Sequence, residues 1–538
     1  MKNIFTILIV FIGFNLYAQE DAWIYFNAKP NAQSYFDNPL TMLTQRSLDR
    51  RVLQNIPLDI HDVPMYQPYI DQISSATGII VRAKSKWFNT LHVQGSQEDI
   101  QALTALSFVD RVDFADRTLN VGGRSSQQKR IKKVNKILES NILFNYGNSY
   151  NQIEMLNGHL LHQDNFTGTG KIIAVMDGGF PGVNTASTFA RLRTNNQILG
   201  GYDYVNRNAN FYTGISHGTS VLSLMGGYKD GQLVGTAPDA NYYLFITEDG
   251  ANEEPLELSN WVEAAEEADR LGVDIINTSL GYTEFDNPVY NFTYNDMNGI
   301  TTFISKGVNM AFSRGIICVN SAGNSGNDPW FYISAPADGL GALTIGAVNS
   351  SRNYASFSSQ GPSFDGRIKP DVTAQGQNPY VSNTNGNVNN SGSGTSYSGP
   401  IIAGMVACLW QALPNKTNAE LVQIIKESSS IYNTPNNQLG YGIPDFSLPL
   451  SGILSVNNIS KSEFEIYPNP AQNVISVQFP YGFENASITF YNSIGQKVLE
   501  KSITNNSNSV IINNLNSGIY LYAIQSKNKS QTGKIIKQ

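Results

Sequence analysis

Between residues 171 and 348 the chain repeatedly enters apolar stretches with no polar alternation: KIIAVMD (171–177), NYYLFIT (241–247), VDIINTSL (273–280), GIICVN (315–320) and ALTIGAV (342–348). A strand of this kind has no side fit for water, so both of its faces must be covered. NWVEAAEEADRLG (260–272) and GVNMAFSRG (307–315) lie between these runs and read as helices by composition and spacing. Buried strands alternating with helices predict an α/β unit, a parallel sheet flanked by helices, over residues 140–450. Such sheets collect reactive groups at the carboxyl ends of their strands. The search for chemistry therefore starts there.

The flanks read differently. With 538 residues, 41% hydrophobic and only 15% charged, the chain suits several globular units rather than one. Residues 1–18 carry Lys2, an apolar run from Ile4 to Leu16, and a small-residue end at Ala18. That is the pattern of a secretory signal peptide, too short for a membrane span of roughly 20 residues. No later run is as apolar, so the mature chain is expected to have no span. Residues 19–139 form a small α+β unit. It contains two strands in GIIVRAKSKWFNTLHVQG, a helix opened by Ser96 with Asp99 three residues on, and a strand in FVDRVDF. Its end, 122–136, carries Arg124, Lys129, Arg130, Lys132, Lys133 and Lys136 without an acid, and reads as a cleavable linker. After a polar link at 451–463, residues 464–538 alternate apolar and polar residues between Asn/Ser/Gly turns, as in a small all-β sandwich. The net charge of −7 disfavours nucleic acid as a partner. Cys318 and Cys408 sit in apolar stretches and read as buried thiols, not a disulfide.

Asp177 ends the first strand of the large unit. Of the five histidines, His61 and His92 lie in the first unit. His159 and His162 have no acid or thiol near them to make a metal site. His217 opens the small-residue segment HGTSVLSLMGG and is the candidate base. In GSGTSYSGPIIAG (392–404) three hydroxyls compete: Ser393, Ser396 and Ser398. Pro400 is expected in the first turn of a helix there. That places Ser396 at a helix N-terminus, where free N–H groups favour an oxyanion. An esterase elbow of the G-x-S-x-G type is not met, because Ser398 fills its last glycine position.

These pieces resemble a known family. Asp177 in AVMDGG, His217 in HGT, Asn324 in SAGN and Ser396 in GTSYSGP resemble the subtilisin-like serine peptidases of family S8, in the same order. GTAPDANYYLF, NTSLG, ASFSSQGP and IKPDVTAQG support the likeness. It implies a three-layer subtilisin-like fold and a secreted endopeptidase acting through an acyl-enzyme on Ser396. His217 would be the base, Asp177 its orienting acid, and Asn324 an oxyanion-hole donor. Ser279, Leu280, Gly281, Ser321, Ala322 and Gly323 would bind polypeptide substrate. The chemistry would need no cofactor. A structural calcium is conceivable at YNDMNG (294–299), although a polar turn is the simpler reading. The first unit resembles the family's pro-domain, an inhibitor and folding aid removed on maturation. YPNPA (467–471), GQKV (495–498), GIYLYAI (518–524) and the terminal GKIIKQ resemble the type A sorting domain of the Bacteroidetes type IX secretion system. That implies export to the cell surface or medium with that machinery as partner.

The family usually has Ser or Thr where this chain has Gly178, so one hydrogen bond to Asp177 is expected to be lost or replaced. The acids Glu248, Asp249, Glu253, Glu254 and Glu257 border the expected substrate groove. They would favour basic residues upstream of the cut, unless they form only a solvated loop. Two alternatives stay open: a dedicated processing protease for one exported partner, and an inactive binding protein of the same fold.

Overall fold

Alternating residues in the first strand meet two different neighbours, and this explains why it is buried on both sides. The computed structural model describes residues 19–120, 144–450, 464–479, 483–492, 496–505, 507–526 and 529–538. The expected signal peptide, the basic stretch 122–136 and the link 451–463 lie outside the described residues. The first unit contains β1 (Gln19–Phe26), α1 (Gln45–Leu53), β2 (Ile80–Ser85), β3 (Thr90–Ser96), α2 (Gln97–Ala102) and β4 (Val109–Phe114). The strands form an antiparallel sheet in the order β2-β3-β1-β4. Ser96 caps α2 as expected, accepting from the Asp99 N–H at 3.1 Å. The Asp99 carboxylate accepts a hydrogen bond from the Ser96 hydroxyl at 2.7 Å instead of closing a full capping box. Ala22, Ile24 and Phe26 of β1 join the unit's own core. Trp23 and Tyr25, on the other face, join the core of the large unit.

That large unit follows the predicted alternation. It contains β5 (Ile172–Asp177), β6 (Ile198–Asp203), α3 (His217–Gly226), β7 (Asn241–Ile246), α4 (Leu256–Leu271), β8 (Ile275–Thr278) and α5 (Phe303–Ser313). β9 (Ile317–Ser321), β10 (Ala342–Val348), β11 (Val372–Gln375), α6 (Thr395–Ala412) and α7 (Asn418–Glu427) complete it. Seven parallel strands run in the order β11-β10-β9-β8-β5-β7-β6. Every residue of β5, β8, β9, β10 and β11 is buried, as continuous apolar strands require. α3 and α6 pack together on one face, α4 and α5 on the other. Within β8 and just beyond it, Asn277 lies beneath α6 at Gly399, while Thr278 accepts the Trp261 indole N–H of α4 at 3.0 Å. Trp23 of β1 stacks on Phe303 of α5 with ring centroids 5.0 Å apart, and its indole donates to Ser259 of α4 at 2.8 Å. Glu266 of α4 accepts from the Lys86 and Trp87 N–H groups at 2.9 Å, capping the turn between β2 and β3.

Two strands escape the sequence pattern. β6 (ILGGYD) is interrupted by two glycines and lies at the sheet edge, and β11 (VTAQ) is only four residues long. Cys318 and Cys408 are free and buried, and burial pushes both thiols up. His162 is buried between the Tyr146 hydroxyl at 2.8 Å and the Thr236 carbonyl at 2.9 Å, a structural role.

Contacts divide the chain into two compact units, residues 1–449 and 450–538. The second contains β12 (Glu465–Tyr467), β13 (Val474–Gln478), β14 (Asn485–Tyr491), β15 (Lys497–Thr504), β16 (Ser509–Ile511), β17 (Gly518–Ser526) and β18 (Lys529–Lys537). Its two antiparallel sheets, β12-β13-β16 and β15-β14-β17-β18, share one apolar core around Ile475, Val477, Ile488, Phe490 and Ile524.

Candidate active site

Ser396 is the second residue of α6, whose N-cap is Gly394. Among the described residues, neither its hydroxyl nor its N–H has a hydrogen-bond partner. The two competing hydroxyls are committed. Ser398 donates to the Thr395 carbonyl at 3.0 Å, and Ser393 donates to the Asn378 side chain at 2.8 Å. Pro400 is not in the first turn as expected but is the sixth residue of the helix. It therefore cannot supply the N–H that would normally reach the Ser396 carbonyl. The Ser279 hydroxyl supplies the missing donor, 3.0 Å from that carbonyl. One member of the expected substrate-binding set thus holds the first turn of α6 in place with its side chain.

His217 is the first residue of α3, and its Nδ1 lies 2.8 Å from Asp177 Oδ1 at the carboxyl end of β5. That bond assigns the proton to Nδ1 and leaves Nε2 as an acceptor. The Asp177 charge, opposed by burial and helped by the more distant Glu248, holds the imidazole above its ordinary 6.5. The ring stacks on Tyr397 at 6.1 Å between centroids. Tyr397 follows Ser396 directly, so the start of α3 and the start of α6 meet at this point.

Asn324 follows β9. Its Oδ1 accepts the Thr395 N–H at 2.8 Å and lies 3.0 Å from the Thr395 hydroxyl. With the oxygen occupied, the amide is oriented and its Nδ2 is free of protein acceptors among the described residues. A Cβ on Gly394 would lie 3.5 Å from Asn324 Nδ2 and 3.7 Å from the Ser396 nitrogen. Two donors therefore flank the same small space. From sequence, Gly394 and Thr395 are expected only as the tight backbone that a nucleophile needs; the Thr395 hydroxyl's bond to Asn324 at 3.0 Å is a contact that the sequence does not announce.

The remaining expected residues separate into two kinds. Leu280 and Gly281 have no backbone hydrogen bonds among the described residues and form an open edge. The 321–323 segment is bound into the fold: Ala322 N–H donates to Ile345 at 2.9 Å, and the Gly323 carbonyl accepts from Ser359 at 3.0 Å. Together Ser321, Ala322 and Gly323 make a wall, not a second open edge.

Gly178 has the consequence expected of it. Asp177 Oδ1 accepts from both His217 and the Gly178 N–H at 2.8 Å, while the buried Oδ2 has no partner. Where a Gly178 side chain would start, Ile215 stands 2.6 Å away, and it also packs on Gly250. The lost hydrogen bond is replaced by an apolar cover. The acidic loop also differs from a purely solvated one. The Tyr282 hydroxyl donates to Glu248 at 2.9 Å, and Glu257 accepts the N–H groups of Asp249 at 2.8 Å and Glu254 at 3.1 Å. Burial first, and mutual repulsion second, push Glu248 up to about 8 and Glu257 up to about 9. Burial and Asp286 push Glu253 up to about 7. In the 294–299 turn, Asp296 accepts from Thr293 and pairs with Arg117. Among the described residues no group of three His, Cys, Asp or Glu side chains is placed to hold a metal ion.

Comparison with known proteins gives three family matches along the chain. Residues 21–133 match a peptidase S8 propeptide domain of Bacteroidota, 168–442 the subtilase family, and 465–538 a secretion-system C-terminal sorting domain. The chain is 29% identical over 278 residues to subtilisin BL of Lederbergia lenta, covering 51% of this chain and 89% of that protein. It is 28% identical over 338 residues to subtilisin E of Bacillus subtilis, covering 60% and 79%. It is 28% identical over 287 residues to a thermostable alkaline protease of Halalkalibacterium halodurans, covering 53% and 69%. No helix among the described residues is long and apolar enough to cross a membrane. The sheet, the site at its carboxyl edge and these matches converge on one conclusion: the chain belongs to the subtilase family and is an exported subtilisin-like serine endopeptidase with its own propeptide and sorting domains.

Proposed function

We propose that Ser396 is the nucleophile of this endopeptidase. Its Oγ attacks the peptide carbonyl while His217 Nε2 takes the hydroxyl proton. Asp177 orients the ring and stabilises the imidazolium. The negative charge that develops on the carbonyl oxygen is received by Asn324 Nδ2 and the Ser396 N–H. Collapse breaks the C–N bond, and the imidazolium protonates the departing amine. Water then releases the acyl group from Ser396 by the same path in reverse. No metal or other cofactor enters these steps.

The observation that carries this reading is the state of the hydroxyls in 392–398. Ser393 and Ser398 are hydrogen-bonded within the fold, and of the three serines only Ser396, at the N-terminus of α6, has a hydroxyl without a partner among the described residues. An extended polypeptide would pair with the open backbone edge of Leu280 and Gly281, which recognises main chain in preference to side chains. The propeptide domain would act as inhibitor and folding aid, and the type IX machinery would read the C-terminal domain. The test is covalent labelling of the processed protein with a fluorophosphonate, followed by peptide mapping. Label on Ser396, lost in Ser396→Ala and in denatured protein, is the expected result. Label elsewhere, or none, overturns the assignment.

A further inference from the structure

The first unit meets the peptidase at two separate places. One lies on the segment that follows the open edge of Leu280 and Gly281. There Arg117 pairs with Asp296 and donates to the Asn291 carbonyl at 3.2 Å, and the Tyr290 hydroxyl donates to Glu20 at 3.3 Å. The other is a clamp built on α1 and the residues after it. Arg50 pairs with Asp269 at 2.5 Å and also donates to the Val273 carbonyl. Arg51 lies between Asp62 and Asp269, 2.7 Å from each. Asp59 accepts from both Nη groups of Arg314 at 2.9 and 3.0 Å. Arg46 pairs with Asp274 at 2.5 Å and donates to the Gly272 carbonyl at 2.9 Å. The Gln54 amide donates to the Gly315 carbonyl at 2.8 Å and accepts the Asn418 N–H at 3.0 Å.

The clamp lies at the amino ends of the strands, away from the reaction centre. Asp269 is in the last turn of α4, Gly272, Val273 and Asp274 lead into β8, Gly315 leads into β9, and Asn418 opens α7. Asp274 also accepts the Ile172 N–H at the start of β5, at 2.9 Å, whereas Asp177 ends that strand. The ends of a strand of this length are about 17 Å apart. Blocking the groove requires nothing at the far end, yet the contact there is deeply buried: Arg51 is 1% exposed, and Asp62 and Asp269 are 0%. Among the described residues both cations that pair with Asp269 come from α1. The peptidase thus offers a face of carboxylates and carbonyl oxygens, and α1 meets it with guanidinium groups, whose planar forks serve several acceptors at once. Opening this face removes the partners that make its buried charges tolerable, so it opens rarely. Two attachments on one body also support each other: while either is closed, the other re-forms at high effective concentration.

We propose that the peptidase carries a second docking surface for its propeptide domain, an acceptor face at the amino ends of its strands that takes the arginines of α1, and that opening of this surface limits how soon activity appears after the chain is cut. The effect on activity rests on the reading of the first unit as inhibitor. The docking itself does not, and it does not depend on which residue performs the cleavage.

Docking is read in full-length Ser396→Ala protein nicked with trypsin at the basic residues of 122–136. Denaturing gels establish the nick, and gel filtration at intervals after dilution, at pH 7.5 in 0.15 M NaCl, follows the rate at which the N-terminal fragment leaves. Arg50→Met/Arg51→Met in the same chain should raise that rate about 100-fold or more. Arg46→Ala should raise it about 5-fold. The Arg46 side chain is 40% exposed and Asp274 keeps its bond to Ile172, so this variant decides the matter if the double variant does not fold. Rates within about twofold of the parent in the folded clamp variants overturn the proposal. Onset is read in the chain that keeps Ser396, as the delay between the cut on a gel and the first hydrolysis of a peptide substrate. That delay should shorten in the same order as the release rates rise. A delay left unchanged by variants that release the fragment faster overturns the claim about onset. No delay in any chain, with the fragment still bound to nicked protein, overturns the inhibitor reading and leaves the docking surface standing.

Discussion

The two ends of the seven-stranded sheet use the same strands for opposite purposes. At the carboxyl ends polar groups are left open: Ser396 Oγ, Asn324 Nδ2, Asp177 Oδ2 and the peptide groups of Leu280 and Gly281. At the amino ends the side-chain charges are matched across segments more than 200 residues apart, as in Arg50 and Arg51 with Asp269. Among the buried side-chain atoms of the described residues in that clamp, only the guanidinium Nε atoms of Arg50, Arg51 and Arg314 remain without an acceptor. Buried polar groups are normally satisfied by the fold, so a cluster of open ones marks where something else must bind.

The largest expected effect belongs to the open end. Ser396→Ala should lower kcat by about 10⁶-fold on a peptide substrate. Activity within tenfold of wild type would mean that the free hydroxyl is not the one that reacts. Asn324→Leu removes one of the two proposed oxyanion donors and should lower kcat by about 10²–10³-fold with little change in KM. A KM effect alone would turn that amide into a substrate-positioning group.

Next comes the closed end. Arg51→Met takes the 2.7 Å ion pair from the buried Asp62 and leaves Asp269 with Arg50 alone, and should cost about 3–5 kcal/mol, read by urea unfolding of the uncut chain. If it costs less than about 1 kcal/mol, the comparison between the two ends fails.

A pH series sharpens the contrast further. Glu253, Glu248 and Glu257 are pushed from 4.5 up to about 7, 8 and 9, with burial the first cause in each. The fold therefore favours their protonated forms. The stability they contribute is complete below pH 4.5 and is lost as pH rises through those values, so Tm should fall between pH 5 and 9. Glu248→Gln should flatten the upper part of that fall. His217 is also held above 6.5, here by Asp177, so the acid limb of kcat/KM should lie above pH 6.5.

The smallest effect is expected at Gly178. A Cβ there meets Ile215, which is 42% exposed and free to swing outward. Gly178→Ala should cost about 1 kcal/mol or less, with kcat changed only a few-fold. A large loss would show that the apolar cover over Asp177 matters more than its missing hydrogen bond.

Much of the candidate site was legible because its members occupy positions with a local signature. Asp177 ends an apolar run, His217 and Ser396 open helices, and Asn324 follows a strand. α1 was not legible. QRSLDRRVLQN reads as a charged, solvated helix, and nothing near Arg50 or Arg51 announces that Asp269 waits in another unit. β6 was hidden by Gly200 and Gly201, which break its apolar pattern, while its pairing to β7 continues past a register shift between Ile198 and Gly200. The position of Pro400 was misjudged because a proline in the second turn is tolerated only when another donor reaches the orphaned carbonyl. Ser279, the residue that does so, lies 117 positions earlier.

Periodicity along the chain thus determined the layers, the parallel sheet, the order of the units and the short set of residues able to react. These are local properties, set by which side of a strand or helix each side chain must face. Tertiary structure alone decided which serine is left free, which oxygen of Asp177 goes without a partner, and which arginines are locked in place. Each of those depends on a hydrogen bond or an ion pair between segments far apart in sequence. Whether such a bond forms is settled by three-dimensional distance, which no local pattern encodes.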